Sequence, residues 1–226
     1  MVVHSELPKT PDTRLLRVIC DPVWGGCGKD LGMIAALLVA AYLCGSVPFG
    51  LVVAKMRRVD LRKVGSGNIG ATNAARALGK GMGALVLLLD AGKAAGPICV
   101  ALRLVPEGPW KPWWVSAVAL CAFLGHLYPV FAGFAGGKGV ATALGCFAVL
   151  SPVAAGLGAA TFVVVFGVTR MASVGSLVAV LLFPVWLVLC GSGPAVLCLS
   201  GVLLLFILVR HRDNIRRLWN KNEQRF

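Results

Sequence analysis

Gly65-Ser66-Gly67-Asn68-Ile69-Gly70-Ala71-Thr72-Asn73, closed by Arg76 and Gly79, is a polar, glycine-rich run in an otherwise apolar chain. Glycines let successive backbone N–H groups turn toward one point, which makes a concave anion site. Ser66, Asn68, Thr72 and Asn73 add neutral hydrogen-bonding groups, and Arg76 adds a planar charged fork suited to phosphate. The plain alternative is a flexible loop between two helices, but loops rarely gather this many donors beside an arginine. A second run, Gly136-Gly137-Lys138-Gly139, leads directly into an apolar helical stretch from Val140 to Leu150. A glycine turn feeding a helix N-terminus is a ready anion site, and Lys138 supplies a full charge. The Walker A order is absent from it.

Two further blocks belong with these. Ser173 and Ser176 are spaced to share a helix face, although serine near the end of a membrane helix also commonly bonds its own backbone. In the basic tail, His211, Asn214, Ile215 and Leu218 fall on one helical face, which either turns His211 and Asn214 toward the site or lies on anionic lipid. The two readings are compatible.

The composition dictates what must position these blocks. The chain has 226 residues, 58% of them hydrophobic and 14% charged, and its formal net charge is +13. With a mean hydropathy of +0.84 it is an integral membrane protein. The cations cluster between hydrophobic spans and at the C-terminus, the pattern of topology-setting loops rather than of nucleic-acid binding. Spans are expected at 31–55, 82–104, 113–124, 140–150 together with part of 131–138 because that run alone is short for a crossing, 153–169, 177–190 and 194–209, giving an all-α polytopic protein of seven transmembrane helices. Because residues 55–80 carry seven cations against Asp60, that loop is expected in the cytoplasm. The N-terminus is then outside and the C-terminus cytoplasmic. All four polar blocks share that inner side, so one composite site is expected at the cytoplasmic interface.

Residues 1–32 read as a poorly ordered extension without a signal-peptide pattern, ahead of a membrane domain over residues 33–226. Met33 opens the first span, which makes it an alternative initiator. Cys20 and Cys27 flank a Trp-Gly-Gly turn and are able to pair only in an oxidising compartment; the other six cysteines lie in apolar runs. Pro48, in Ser46-Val47-Pro48-Phe49-Gly50, is either an ordinary membrane-helix kink or a shaped opening beside the polar loop. Asp90 and Lys93, one helical turn apart within the second span, are either a structural ion pair or part of the site.

Candidate anion ligands are plentiful and candidate nucleophiles are poor. There is no G-x-S-x-G elbow and no cysteine with a cationic neighbour in sequence. The His-x4-Asp arrangement is absent, since Phe131 follows His126 at that spacing and Arg216 follows His211. No carboxylate or zinc-type cluster points to a metal, and none is expected. Many anion clamps without a nucleophile fit direct transfer between two bound phosphate-bearing substrates, driven by positioning and charge stabilisation.

Ser46–Gly50, Gly65–Arg76, Gly125–Thr142 and His211–Leu218 closely resemble, in the expected order, the bacterial acyl-phosphate:glycerol-3-phosphate acyltransferases. The resemblance runs from about Met33 to the C-terminus. It implies transfer of a fatty acyl group from acyl phosphate to the 1-hydroxyl of sn-glycerol 3-phosphate, giving lysophosphatidic acid and phosphate for phospholipid synthesis, with no cofactor and no covalent enzyme intermediate. It implies a monomer in the bacterial cytoplasmic (inner) membrane, with the active site on the cytoplasmic face. Arg76, Lys138, Ser176, His211 and Asn214 match positions that hold glycerol 3-phosphate, and Ser66 with Gly65, Gly67, Asn68, Thr72 and Asn73 matches the acyl-phosphate loop. Ser66, Arg76 and Lys138 are the expected catalytic residues, and Gly136, Gly137 and Gly139 belong to the second binding loop. Ala135 stands where the family often has Lys, and Lys221 where Gly is usual, while Glu223 matches.

Two other classes of function remain open on the residues alone. A phosphate or organophosphate transporter would place its ligand near the bilayer midplane, where Asp90 and Lys93 are the strong charges. A lipid-binding scaffold would use the basic tail and leave the glycine loops unexplained.

Overall fold

The computed structural model describes residues 29–226, and no strand occurs among them. The proposed extension, apart from its last four residues, and the Cys20–Cys27 pair lie outside the described residues. The helices are α1 (Lys29–Gly45), α2 (Phe49–Met56), α3 (Ala71–Leu78), α4 (Lys80–Leu104), α5 (Lys111–Leu127), α6 (Val140–Leu150), α7 (Pro152–Thr169), α8 (Ala172–Leu189), α9 (Pro194–Arg210) and α10 (Arg212–Trp219). Met33 lies inside α1 rather than at its start.

Five segments are long and apolar enough to cross a membrane: Asp30–Met56, Lys80–Leu104, Lys111–Ala132, Pro152–Thr169 and Ala172–Leu189. The pair α9 and α10, bent by 57°, makes a sixth if counted as one broken span. α6 falls short, because its 11 residues reach only about half the ~30 Å hydrocarbon thickness at ~1.5 Å per residue. Length and composition therefore support five or six crossings, against the seven expected.

Helix ends also differ from expectation at functional positions. α4 starts at Lys80 and α8 at Ala172, so Ser173 and Ser176 occupy the first turns of a helix rather than a connecting turn. α5 runs through Gly125, His126 and Leu127, which the sequence places in a polar loop. In both cases tertiary packing extends a helix into polar sequence.

α1 and α2 are two pieces of one span, broken at Ser46-Val47-Pro48. Pro48 brings no N–H, and its ring clashes with the turn before it. The Ser46 hydroxyl closes α1 by donating to the Tyr42 carbonyl at 2.8 Å. The Val47 carbonyl, left without a helical partner by the break, accepts from Lys93 Nζ at 2.9 Å, and the same ammonium pairs with Asp90 Oδ1 at 2.8 Å. The Pro48 break and the intramembrane charges are thus one construction.

The core centres on Phe123 of α5, fully buried among Val118, Ala119, Ala122, Ile98 and Cys146. Lipid offers no hydrophobic drive between helices, so close van der Waals approach must hold them. A Cβ at Gly125 would come within 2.2 Å of the Tyr42 carbonyl oxygen, which shows how tightly α5 crosses α1. A smaller cluster, Val53, Ala54, Leu61, Ala74 and Val86, seats the α2–α3 region against α4.

Candidate active site

The Gly65–Asn73 run folds as a turn leading into α3, held by a residue that sequence reasoning gave to the ligand. Asn73 is 1% exposed. Its Oδ1 accepts from the Ser66 N–H at 3.0 Å, and its Nδ2 donates to the Leu61 and Val64 carbonyls, each at 3.0 Å. Gly65 adopts φ +58, and a Cβ there would sit 2.3 Å from Asn73 Oδ1. Asn73 thus ties the loop from behind, which leaves Ser66 on the inner surface.

The Gly136–Gly139 turn docks on the end of α5. The Gly137 N–H donates to the His126 carbonyl at 3.2 Å. Gly139 caps α6 at φ +89, with no room for a Cβ against the Phe123 ring. Lys138 Nζ donates to Asn214 Oδ1 on α10.

These pieces meet in a cavity of about 360 Å³. Ser66, Asn68, Thr72, Arg76, Lys138, Gly139, Ser176, His211 and Asn214 all line it. Gly65, Gly67, Asn73, Gly136 and Gly137 are not among its lining and lie in the framework behind it. The first turns of four helices contribute: Ala71 and Thr72 of α3, Val140 and Ala141 of α6, Ala172 and Ser173 of α8, and Asn214 of α10. Their unpaired N–H groups and positive dipole ends favour an anion. One to three turns further along these helices and neighbouring ones, the lining becomes apolar, with Leu144, Phe147, Phe162, Val180, Phe183 and Leu203.

Within the tail helix, His211 and Asn214 are buried whereas Ile215 is 42% exposed, so the inward face is narrower than the periodicity implied. α10 ends in a Schellman motif: Lys221 N–H donates to the Leu218 carbonyl at 3.0 Å and Asn222 N–H to that of Arg217 at 2.8 Å. Lys221 occupies the left-handed position at φ +56, a backbone conformation that favours glycine. The turn aims Glu223 back into the site.

Glu223 and Ser173 complete the polar wall, and neither stood among the expected site residues. Glu223 Oε1 accepts from Ser173 Oγ and Asn214 Nδ2, each at 2.7 Å, and Oε2 accepts from Arg217 Nε at 2.8 Å. Partial burial acts to raise its pKa, but the bonds from Ser173, Arg217 and Asn214 prevail and hold it below the usual glutamate value. Arg76 rests on the tail, donating to the Gln224 carbonyl at 3.2 Å with its guanidinium 5.4 Å from the Phe226 ring centre. Burial pushes Lys138 down to about 8; Glu223 opposes this, and the cations Arg217 and Arg76 add to it. At neutral pH the lysine is still mostly charged, and an anion bound beside it would favour the charged form further. Among the described residues no three His, Cys, Asp or Glu side chains gather as a metal site.

Residues 35–221 match the family described as glycerol-3-phosphate acyltransferase. The chain belongs to this family. It is 53% identical over 203 residues to the glycerol-3-phosphate acyltransferase of Anaeromyxobacter dehalogenans strain 2CP-1, covering 85% of this chain and 98% of that relative. It is 47% identical over 195 residues to the enzyme of that name from Myxococcus xanthus, covering 86% and 100%. Among solved structures it is similar to PlsY, an integral membrane glycerol 3-phosphate acyltransferase, in its glycerol 3-phosphate form. That match has a TM-score of 0.80 and 42% identity, covering 86% of this chain and 96% of that one. The lysophosphatidic acid form matches with a TM-score of 0.79 at 40% identity. The protein is thus a multi-pass membrane acyltransferase that acts on glycerol 3-phosphate.

Proposed function

We propose that the acyltransferase takes its acyl group from acyl phosphate and delivers it to the 1-hydroxyl of sn-glycerol 3-phosphate, releasing lysophosphatidic acid and inorganic phosphate. The observation that carries this reading is one cavity joining a cationic, amide-rich end to apolar walls. The polar end suits two phosphate groups and the apolar end a hydrocarbon chain. Arg76, Lys138, Ser176, His211 and Asn214 would grip glycerol 3-phosphate, while Ser66 and the Gly65–Thr72 turn would cradle the acyl phosphate.

The chain need not supply a nucleophile. The 1-hydroxyl oxygen attacks the acyl carbon, the carbon–oxygen bond to phosphate breaks, and the leaving phosphate takes the hydroxyl proton. Atoms balance without a covalent enzyme intermediate. The protein's part is to hold both substrates in line and to neutralise charge building on the carbonyl and phosphate oxygens.

In this reading α6 completes seven crossings together with the turn before it. The cation-rich 55–80 region and the tail set the site at the cytoplasmic face of a bacterial inner membrane, with the N-terminus outside and the enzyme acting as a monomer. The test is incubation of purified protein with acyl phosphate and glycerol 3-phosphate, with acyl-CoA as control donor. Lysophosphatidic acid should form from acyl phosphate alone; formation from acyl-CoA alone would overturn the donor. Lys138→Ala and Arg76→Ala should each abolish transfer while melting like the parent, and full activity in both would remove the proposed site.

A further inference from the structure

Arg210, the last residue of α9, contacts the second glycine turn without lining the cavity. Its Nη2 donates to the Gly136 carbonyl at 2.6 Å and its Nε to the Gly137 carbonyl at 3.0 Å. On the other side of the turn, the Gly137 N–H is taken by the His126 carbonyl, and a Cβ at Gly137 would come within 2.2 Å of His126 Nε2. The turn is therefore clamped between a guanidinium fork and the end of α5.

A trans peptide points its C=O and N–H in opposite directions. Drawing the Gly137 oxygen toward Arg210 turns the Lys138 N–H away from Arg210. That N–H has no hydrogen-bond partner among the described residues, and Lys138, Gly139, Val140 and Ala141 line the cavity. A carbonyl facing an anion would repel it. Holding both oxygens on Arg210 removes that repulsion and leaves donors for the ligand.

We propose that Arg210 is a positioning residue, which acts through the Gly136 and Gly137 carbonyls to set the Lys138 turn for the phosphate of glycerol 3-phosphate. This rests on the reading that the cavity binds that phosphate.

The test is calorimetric titration of the full chain in lipid nanodiscs with glycerol 3-phosphate, alongside the melting temperature without ligand. Arg210→Gln should weaken binding about tenfold, as loss of a group that orients a ligating one typically does, and Arg210→Lys, which keeps a donor but not the fork, should weaken it less. Because the turn that Arg210 holds also places the Lys138 ammonium beside Asn214, part of the Arg210 loss runs through that ammonium, and Arg210→Gln combined with Lys138→Ala should lose less than the product of the two single losses. Combined with Ser176→Ala, on a separate helix, the losses should multiply. Parental affinity in Arg210→Gln, even with a lowered melting temperature, would overturn the proposal, as would a full product of losses with Lys138→Ala. Should Arg210→Gln fail to fold, Arg210→Lys carries the same two comparisons and is overturned by the same results. Parental affinity in both Lys138→Ala and Ser176→Ala would instead remove the underlying site, and the proposal with it.

Discussion

Lys138 shows how burial and function are traded at one residue. Its folded pKa of about 8 lies below the ordinary lysine value of 10.5. Below pH 8 it is charged in both the folded and unfolded chain, and the folded state bears the full cost of burying that charge. Between pH 8 and 10.5 the unfolded chain holds more protons, so stability rises with pH. Ligand binding runs the other way. The affinity for glycerol 3-phosphate should be level below pH 8 and fall above it by up to about tenfold per pH unit, because binding must take up a proton. Titrating affinity from pH 7 to 9.5 checks this, and a flat profile would place the phosphate elsewhere. The residues that could be found from sequence here include those that line the cavity, such as Ser66, Arg76, Lys138 and Asn214. Asn73 looked like another donor because its type is the same; only the structure shows that both ends of its amide are spent on the loop's own backbone.

Among the helices, α4 bears on a question the sequence left open, for Asp90 both pairs with Lys93 and lines the cavity beside His126. Asp90 and Lys93 are both buried, at 3% side-chain exposure each, and Lys93 also supplies the donor that the Val47 carbonyl requires. Asp90→Asn should destabilise the fold by about 3–5 kcal/mol by leaving the ammonium uncompensated. Adding Lys93→Met should restore part of that, leaving about 1–3 kcal/mol for the bare carbonyl. Thermal unfolding of both variants in detergent measures this, and a parental melting temperature for Asp90→Asn would contradict a structural role. Periodicity revealed the long apolar helices because hydrocarbon demands them. It did not reveal that α5 continues through His126 or that α8 begins before Ser173, since polar residues facing a cavity look, in one dimension, like the edge of a loop. Glu223 was hidden for a related reason: a carboxylate in the tail meets Asn214 and Arg217 only when the turn after α10 folds it back, and Ser173 only with α10 bent 57° from α9.

Taken whole, the described residues surround a cavity with a charged end and a greasy end, and in the proposed reaction the latter would select chain length. Each methylene moved from water into such walls gains about 0.8 kcal/mol, or roughly fourfold in affinity. Over a series of saturated acyl phosphates, kcat/KM should climb by about that factor per carbon until the apolar end is full and then level off. Ala179→Phe, which fills part of the lining, should bring the plateau to shorter chains. A series without a climb would mean that the chain lies outside. One more consequence follows from the Pro48 break. The donor for the Val47 carbonyl lies 46 residues downstream, on a helix that leaves the ribosome later. A naked carbonyl in hydrocarbon costs several kcal/mol. The first span is therefore expected to linger at the translocon or the bilayer edge until α4 arrives, so that the two segments partition into lipid together and biogenesis acquires a fixed order.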